Sequence, residues 1–69
     1  MKYTYTIEYR LDDIEDYDNT EYIDDIPTVK EARKQARQII KEYGDRIVLL
    51  DIKRYDEDGY LDEVVDTII

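Results

Sequence analysis

The chain has 69 residues, no cysteine, no histidine and a net charge of −9, and 42% of its residues are charged. A domain this small buries only about 60% of the surface its unfolded chain exposes, so a full core leaves no room for a deep substrate cleft. Thiolate and imidazole metal ligands are excluded, no disulfide can staple the fold, and the negative field disfavours nucleic acid and anionic membranes as direct ligands while favouring basic partners.

The first predicted element is a strand. Tyr3, Tyr5, Ile7, Tyr9 and Leu11 alternate with Lys2, Thr4, Thr6, Glu8 and Arg10, a period of two that reads as one buried and one wet face. The next stretch, "LDDIEDYDNTEYIDD" from Leu11 to Asp25, holds eight carboxylates and neither Lys nor Arg. Within its end, Tyr22 to Ile26 predicts a short second strand, stopped by Pro27, which lacks the amide proton that a ladder needs. If residues 17–22 close a local hairpin, Glu15 faces Asp24 and Asp13 lies opposite Ile26, which brings like charges together.

A helix follows over "PTVKEARKQARQIIKEYGD". Thr28 is placed to cap it, Glu31 three residues later completes a capping box, and Gly44 supplies the stop. Val29, Ala32, Ala36, Ile40 and Tyr43, flanked by Ile39, form its apolar face. The two alanines let it lie close to a sheet. Its outward face is a basic rib of Lys30, Arg33, Lys34, Arg37 and Lys41: residues 28–43 carry +3, whereas residues 1–27 carry −7 and residues 44–69 carry −5.

From Arg46 the pattern returns to strand, with Val48, Leu50 and Ile52 on one side. The acidic turn Asp56, Glu57, Asp58, Gly59 leads into a last strand from Tyr60 to about Thr67, and Gly59 fits the left-handed position of a four-residue loop. Placing Tyr55 opposite Tyr60 sets Lys53 opposite Asp62 and Leu50 opposite Val65. The expected architecture is a single α+β domain over residues 1–69, β(β)αββ, an antiparallel sheet of three to four strands with one helix packed on one face. The start "MKYTYTIEYR" has no apolar run of signal-peptide length, and no run of about 18 apolar residues occurs, so a cytoplasmic protein is expected.

Calcium is the first chemistry that so many carboxylates invite. An EF-hand loop needs acids at positions 1, 3 and 5, Gly at 6 and Glu at 12. With Gly59 at position 6, Arg54 falls at 1 and Val65 at 12; with Asp16 at position 1, Glu21 takes the glycine position and Pro27 the last. No dedicated metal site is expected. The chain has no Ser, Cys or His and no Gly-rich phosphate loop, so the ordinary nucleophile and base constellations cannot be assembled, and neither an enzyme nor a cofactor is expected.

What remains is a surface. Tyrosine is the sole aromatic, present eight times. Tyr3, Tyr5 and Tyr9 read as core residues whose hydroxyls reach water, whereas "YDNTEY" at 17–22 and "YDEDGY" at 55–60 each set two tyrosines around acids. Tyrosine beside carboxylates suits an interface anchor. The expected partner-binding residues are therefore Asp12, Asp13, Glu15, Asp16, Asp18, Asp24 and Asp25, with Asp56, Glu57 and Asp58 in the same patch and Tyr17, Tyr22, Tyr55 and Tyr60 as anchors.

Short length, strong acidity and one helix on an antiparallel sheet together resemble the small inhibitors of phages and mobile elements, the DNA-mimic and anti-CRISPR proteins. That resemblance covers the whole chain and implies binding without catalysis, in the host cytoplasm, to the basic nucleic-acid channel of a defence enzyme. A local stretch, "PTVKEARKQA" at 27–36, is also similar to HicB-type antitoxins, although the acidic stretch stands where their Gly-rich hairpin is expected. The expectation is a non-enzymatic acidic protein that inhibits a nucleic-acid-binding partner through its basic surface. The alternative is an assembly module that homodimerises through a sheet edge or through a face containing Ile47, Leu49, Val64 and Ile68.

Overall fold

The computed structural model describes residues 2–12 and 20–69. It contains strand β1 (Thr4–Leu11), strand β2 (Thr20–Ile26), helix α1 (Val29–Tyr43), a 3-10 turn (Gly44–Arg46), strand β3 (Ile47–Tyr55) and strand β4 (Leu61–Thr67). The strands form one sheet in the order β2-β1-β3-β4, with every neighbouring pair antiparallel. This is the expected α+β layer, a four-stranded antiparallel sheet with a single helix. Strands β2 and β3 flank β1 and run parallel to each other, so α1 must cross β1 to join them.

The helix forms where the caps predict it. Thr28 is extended and its Oγ1 accepts from the Glu31 amide at 3.1 Å, which satisfies one of the amides a helix start leaves open. Only this half of the capping box is made by Thr28 and Glu31, since the Glu31 carboxylate accepts from Gln35 Nε2 at 3.3 Å. At the other end Gly44 takes φ 55 and ψ −122 and its amide donates to the Ile40 carbonyl, a conformation that side chains with a Cβ avoid.

Ala32 and Ala36 are fully buried against Ile7, Leu50 and Ile52, and Ile26, Ile39 and Ile47 complete the core. Because alanine projects one carbon, α1 lies low on the sheet and the apolar layer is thin. Tyr9 and Tyr43 stack at its rim, with ring centroids 6.1 Å apart. Ile39 is more buried than Ile40, so the apolar stripe runs nearer to Ile39 than its spacing alone implies.

Three features of the sheet differ from expectation, each through a bulge or turn that breaks simple alternation. First, the register of β1 against β3 shifts between Arg10 and Leu11, setting Leu11 opposite Ile47. Ile47 therefore joins the core while Val48 is exposed, correcting the Val48, Leu50, Ile52 stripe and removing Ile47 from the proposed dimer face. Second, the loop between β3 and β4 has three residues rather than four. The Gly59 amide donates to the Asp56 carbonyl at 3.1 Å, Gly59 takes φ 87, and the Asp56 amide donates to the Tyr60 carbonyl at 2.9 Å, the pattern of a type I turn closed by a left-handed glycine. Asp56 thus faces Tyr60, and Tyr55 pairs with Leu61.

Two further register shifts in β4 then set Lys53 opposite Val64, not Asp62, and Leu50 exchanges backbone hydrogen bonds with Ile69 rather than facing Val65. Third, β2 starts at Thr20 and pairs with β1: Ile26 lies opposite Tyr5, Ile23 opposite Ile7 and Thr20 opposite Arg10. Asp24 and Ile26 therefore take their partners from β1, not from Glu15 and Asp13, which lie outside the described residues together with Ile14, Asp16, Tyr17, Asp18 and Asn19.

Two substitutions test this layer. Ala36→Leu forces three extra carbons between α1 and the sheet and is expected to cost about 1–3 kcal/mol in urea unfolding. Gly44→Ala meets no neighbouring atom within 4 Å, so its expected loss of about 1–3 kcal/mol comes from backbone conformation alone, and an unchanged midpoint would contradict the assigned helix stop.

Candidate functional site

The helix covers one face of the sheet, and no described element covers the other. Pairing and alternation place Thr4, Thr6, Glu8 and Arg10 of β1 on this open face, with Tyr22 and Asp24 of β2, Asp51, Lys53 and Tyr55 of β3, and Val64 of β4. Yet its centre is not wet. Thr6 is 6% exposed and Asp51 8% exposed, the two buried polar residues among those described. Long neighbours such as Lys53, which lies opposite Thr6, exclude water with their stems.

Glu8 and Asp51 are direct cross-strand partners, and Lys53 stands two residues beyond Asp51 on the same face. The Lys53 ammonium donates to Glu8 Oε2 at 2.5 Å. This bond holds the Glu8 carboxyl below its ordinary value and raises the lysine, and Glu8 in turn raises the phenol of Tyr22 that bonds to it. Asp51 is left out: its Oδ1 is buried with no hydrogen-bond partner, and burial pushes its carboxyl above the ordinary range, with Glu8 adding to the effect and Lys53 opposing it. One ammonium thus serves two carboxylates.

Beside this cluster the face deepens into an open cavity of about 410 Å³ lined by Thr4, Thr6, Asp24, Asp25, Tyr55 and Gly59. The register shift between Tyr5 and Ile7 sets both Asp24 and Asp25 against Thr6. Asp25 accommodates the resulting bulge at φ 61, a left-handed conformation that aspartate tolerates better than most residues. Thr6 Oγ1 donates to Asp24 Oδ1 at 3.0 Å. Gly59 reaches the cavity because the β3–β4 turn lies at the same end of the sheet as the bulge.

The expected partner-binding residues are therefore divided. Asp24 and Asp25 do meet the turn that carries Asp56, Glu57 and Asp58, with Tyr55 between them. Asp12 does not: it follows β1 at the opposite end, its amide donating to the Arg46 carbonyl, about 20 Å from Thr6 by the rise of a strand. Asp13, Glu15, Asp16, Tyr17 and Asp18 lie outside the described residues. Of the anchors, Tyr60 is 73% exposed and Tyr22 57% exposed, while Tyr55 is half-buried in the cavity wall. Asp56 directs its carboxylate inward, Oδ1 accepting from the amides of Asp58 and Tyr60 at 3.0 Å each, so it shapes the turn.

Thr6, Glu8, Asp51 and Lys53 are the site residues that sequence reasoning passes over. A signal for one of them exists, because Asp51 interrupts the apolar run "IVLLDI". One cation at this end of the sheet is committed elsewhere. Arg54 pairs with Asp62, its Nε donating at 2.7 Å, reaches Glu63 at 3.6 Å, and lies over the Tyr3 ring at 4.5 Å. Among the described residues no cation lies within ion-pair distance of Asp25, Glu57 or Asp58. The basic rib on α1 is exposed, and Arg33 reaches Asp66 at 3.8 Å.

Asp51→Val removes both the buried charge and the orphaned oxygen and is expected to stabilise the fold by roughly 1–3 kcal/mol at neutral pH. The sign follows from the raised carboxyl. A folded value above the ordinary 3.8 means that Asp51 contributes favourably when protonated and loses that contribution as pH rises through the folded value. The advantage of the variant should therefore grow with pH across that interval and shrink below it, as read by urea midpoints at several pH values. Comparison with known proteins finds no family model, no curated protein and no solved structure that matches the chain.

Proposed function

We propose that the chain is a non-enzymatic binding protein that inhibits a nucleic-acid-binding partner by presenting carboxylates to its basic surface, as the phage and mobile-element inhibitors of DNA-mimic and anti-CRISPR type do in the host cytoplasm. One observation carries this reading. At the end of the sheet where the β2 bulge meets the β3–β4 turn, Asp25, Glu57 and Asp58 stand without an ion pair among the described residues, beside exposed Tyr60. Unpaired carboxylates repel one another and stabilise nothing in the isolated domain; a row of Lys or Arg in a nucleic-acid groove relieves that repulsion on docking. The net charge of −9 would also steer such a partner from a distance.

A second reading is favoured by a different observation. Leu61, Val64, Ile68 and Ile69 are exposed along the β4 side of the sheet, and an edge strand with apolar side chains can pair with a second copy. No described helix is long and apolar enough to cross a membrane.

Salt separates the two. The chain should retain a nucleic-acid-binding protein from a lysate at about 50 mM salt, release most of it by about 200 mM, and lose it to added DNA or RNA. Replacing Asp24, Asp25, Glu57 and Asp58 with their amides should abolish retention with the fold intact. Self-association that persists at high salt, with no basic protein retained at low salt, would contradict the proposed function and favour the homodimer.

A further inference from the structure

At the centre of the open face one ammonium lies beside two carboxylates and bonds one of them. Glu8 and Asp51 face each other across β1 and β3, and Lys53 is bonded to Glu8 at 2.5 Å while Asp51 Oδ1 has no partner. A 92% buried carboxylate with an empty acceptor position is costly, and no described element covers this face to explain it. The adjoining cavity adds Asp24 and Asp25, with hydroxyls from Thr4 and Thr6 and the ring of Tyr55. On this patch Lys53 stands at the centre, with Lys2 and Arg10 exposed at its two ends, against the four carboxylates of Glu8, Asp24, Asp25 and Asp51.

We propose that this open face is a docking site for an arginine side chain of the basic partner, whose guanidinium enters beside Tyr55 and takes the Glu8 carboxylate, releasing Lys53 to Asp51. The inference rests on the acidic-surface reading and names where, and by what chemistry, that surface is engaged. Arginine suits the site better than lysine for geometric reasons. Its flat fork of five donors can serve Glu8 and Asp24 together, and its plane can lie on a tyrosine ring, whereas an ammonium offers a single point charge. Lys53 need move only along its own strand, because Asp51 lies two residues back on the same face. The exchange gives each of the two carboxylates its own cation. The groups facing Asp51 are Glu8 from β1 and Lys53 from β3, while β4 contributes the uncharged Thr67.

The test uses the whole chain with hexa-arginine as the probe, followed by nuclear magnetic resonance at low salt. Carboxyl carbon shifts of Glu8, Asp24 and Asp51 should move on titration, and the Asp51 carboxyl should titrate nearer the ordinary aspartate range once the peptide is bound. Glu8→Gln should weaken the peptide about tenfold, Glu57→Gln with Asp58→Asn should weaken it much less, and hexa-lysine should bind several-fold more weakly than hexa-arginine. Shift changes confined to the turn residues 56–60, with Asp51 unmoved, would overturn the inference and leave the acidic-surface reading standing. Equal binding of hexa-lysine would overturn the choice of a guanidinium. No binding of either peptide would overturn the inference and the acidic-surface reading together. The shift mapping needs no variant, so a Glu8→Gln chain that fails to fold does not remove the test.

Discussion

Ala32 and Ala36 lie directly on Ile7, Leu50 and Ile52, and that single apolar layer is the core of the domain. The described residues hold one α-helix, which packs on one face of the sheet. Among the described residues the other face is finished with side chains alone: threonine, tyrosine, lysine and carboxylates rather than a second layer. Each unusual feature of the molecule follows from that constraint. Thr6 and Asp51 are buried without a covering element, and the central strands β1 and β3 bear the charge cluster because only there are neighbours available on both sides.

Charge is arranged in accord with the same division. The basic rib of α1 is exposed, with Arg33 reaching Asp66; on the strands Lys53 is drawn to Glu8 and Arg54 to Asp62 and Glu63; and carboxylates without an ion pair among the described residues collect at the bulge and the β3–β4 turn. The bases of α1 and the carboxylates of the open face therefore lie on opposite sides of the sheet. Such a distribution contributes little to folding, since exposed like charges only repel. Under the proposed function, it would orient a cationic partner toward the open face and its acidic end.

Much of the fold was legible because its signals are local. The alternation from Thr4 to Leu11, the Thr28 cap, the Gly44 stop and the left-handed Gly59 each depend on residues within a few positions of one another, and each is where the spacing puts it. Register was not legible, because the errors came from bulges, from the length of the β3–β4 loop and from the pairing of β2 with β1. The shift at Asp24 and Asp25, the one beside Ile47 and the two in β4 each add a residue that periodicity cannot see. Site legibility split the same way. Composition pointed to carboxylates and tyrosines; of these Asp24 and Asp25 line one cavity with Tyr55 and Gly59 of the second turn, whereas β1 carries Asp12 to the far end. Glu8, Lys53 and Asp51 escaped notice because they meet only across strands, with 45 positions between Glu8 and the lysine that bonds it.

The most direct measurement is a carboxyl footprint. Carbodiimide labelling read by mass spectrometry can compare the chain alone with the chain bound to a basic, nucleic-acid-binding protein that it retains. Docking on the open face and its acidic end predicts protection of Glu8, Asp24, Asp25 and Asp58, with labelling of Glu42 and Asp45 at the helix end unchanged. Protection of Glu42 and Asp45 with Glu8, Asp24 and Asp25 still labelled would contradict it.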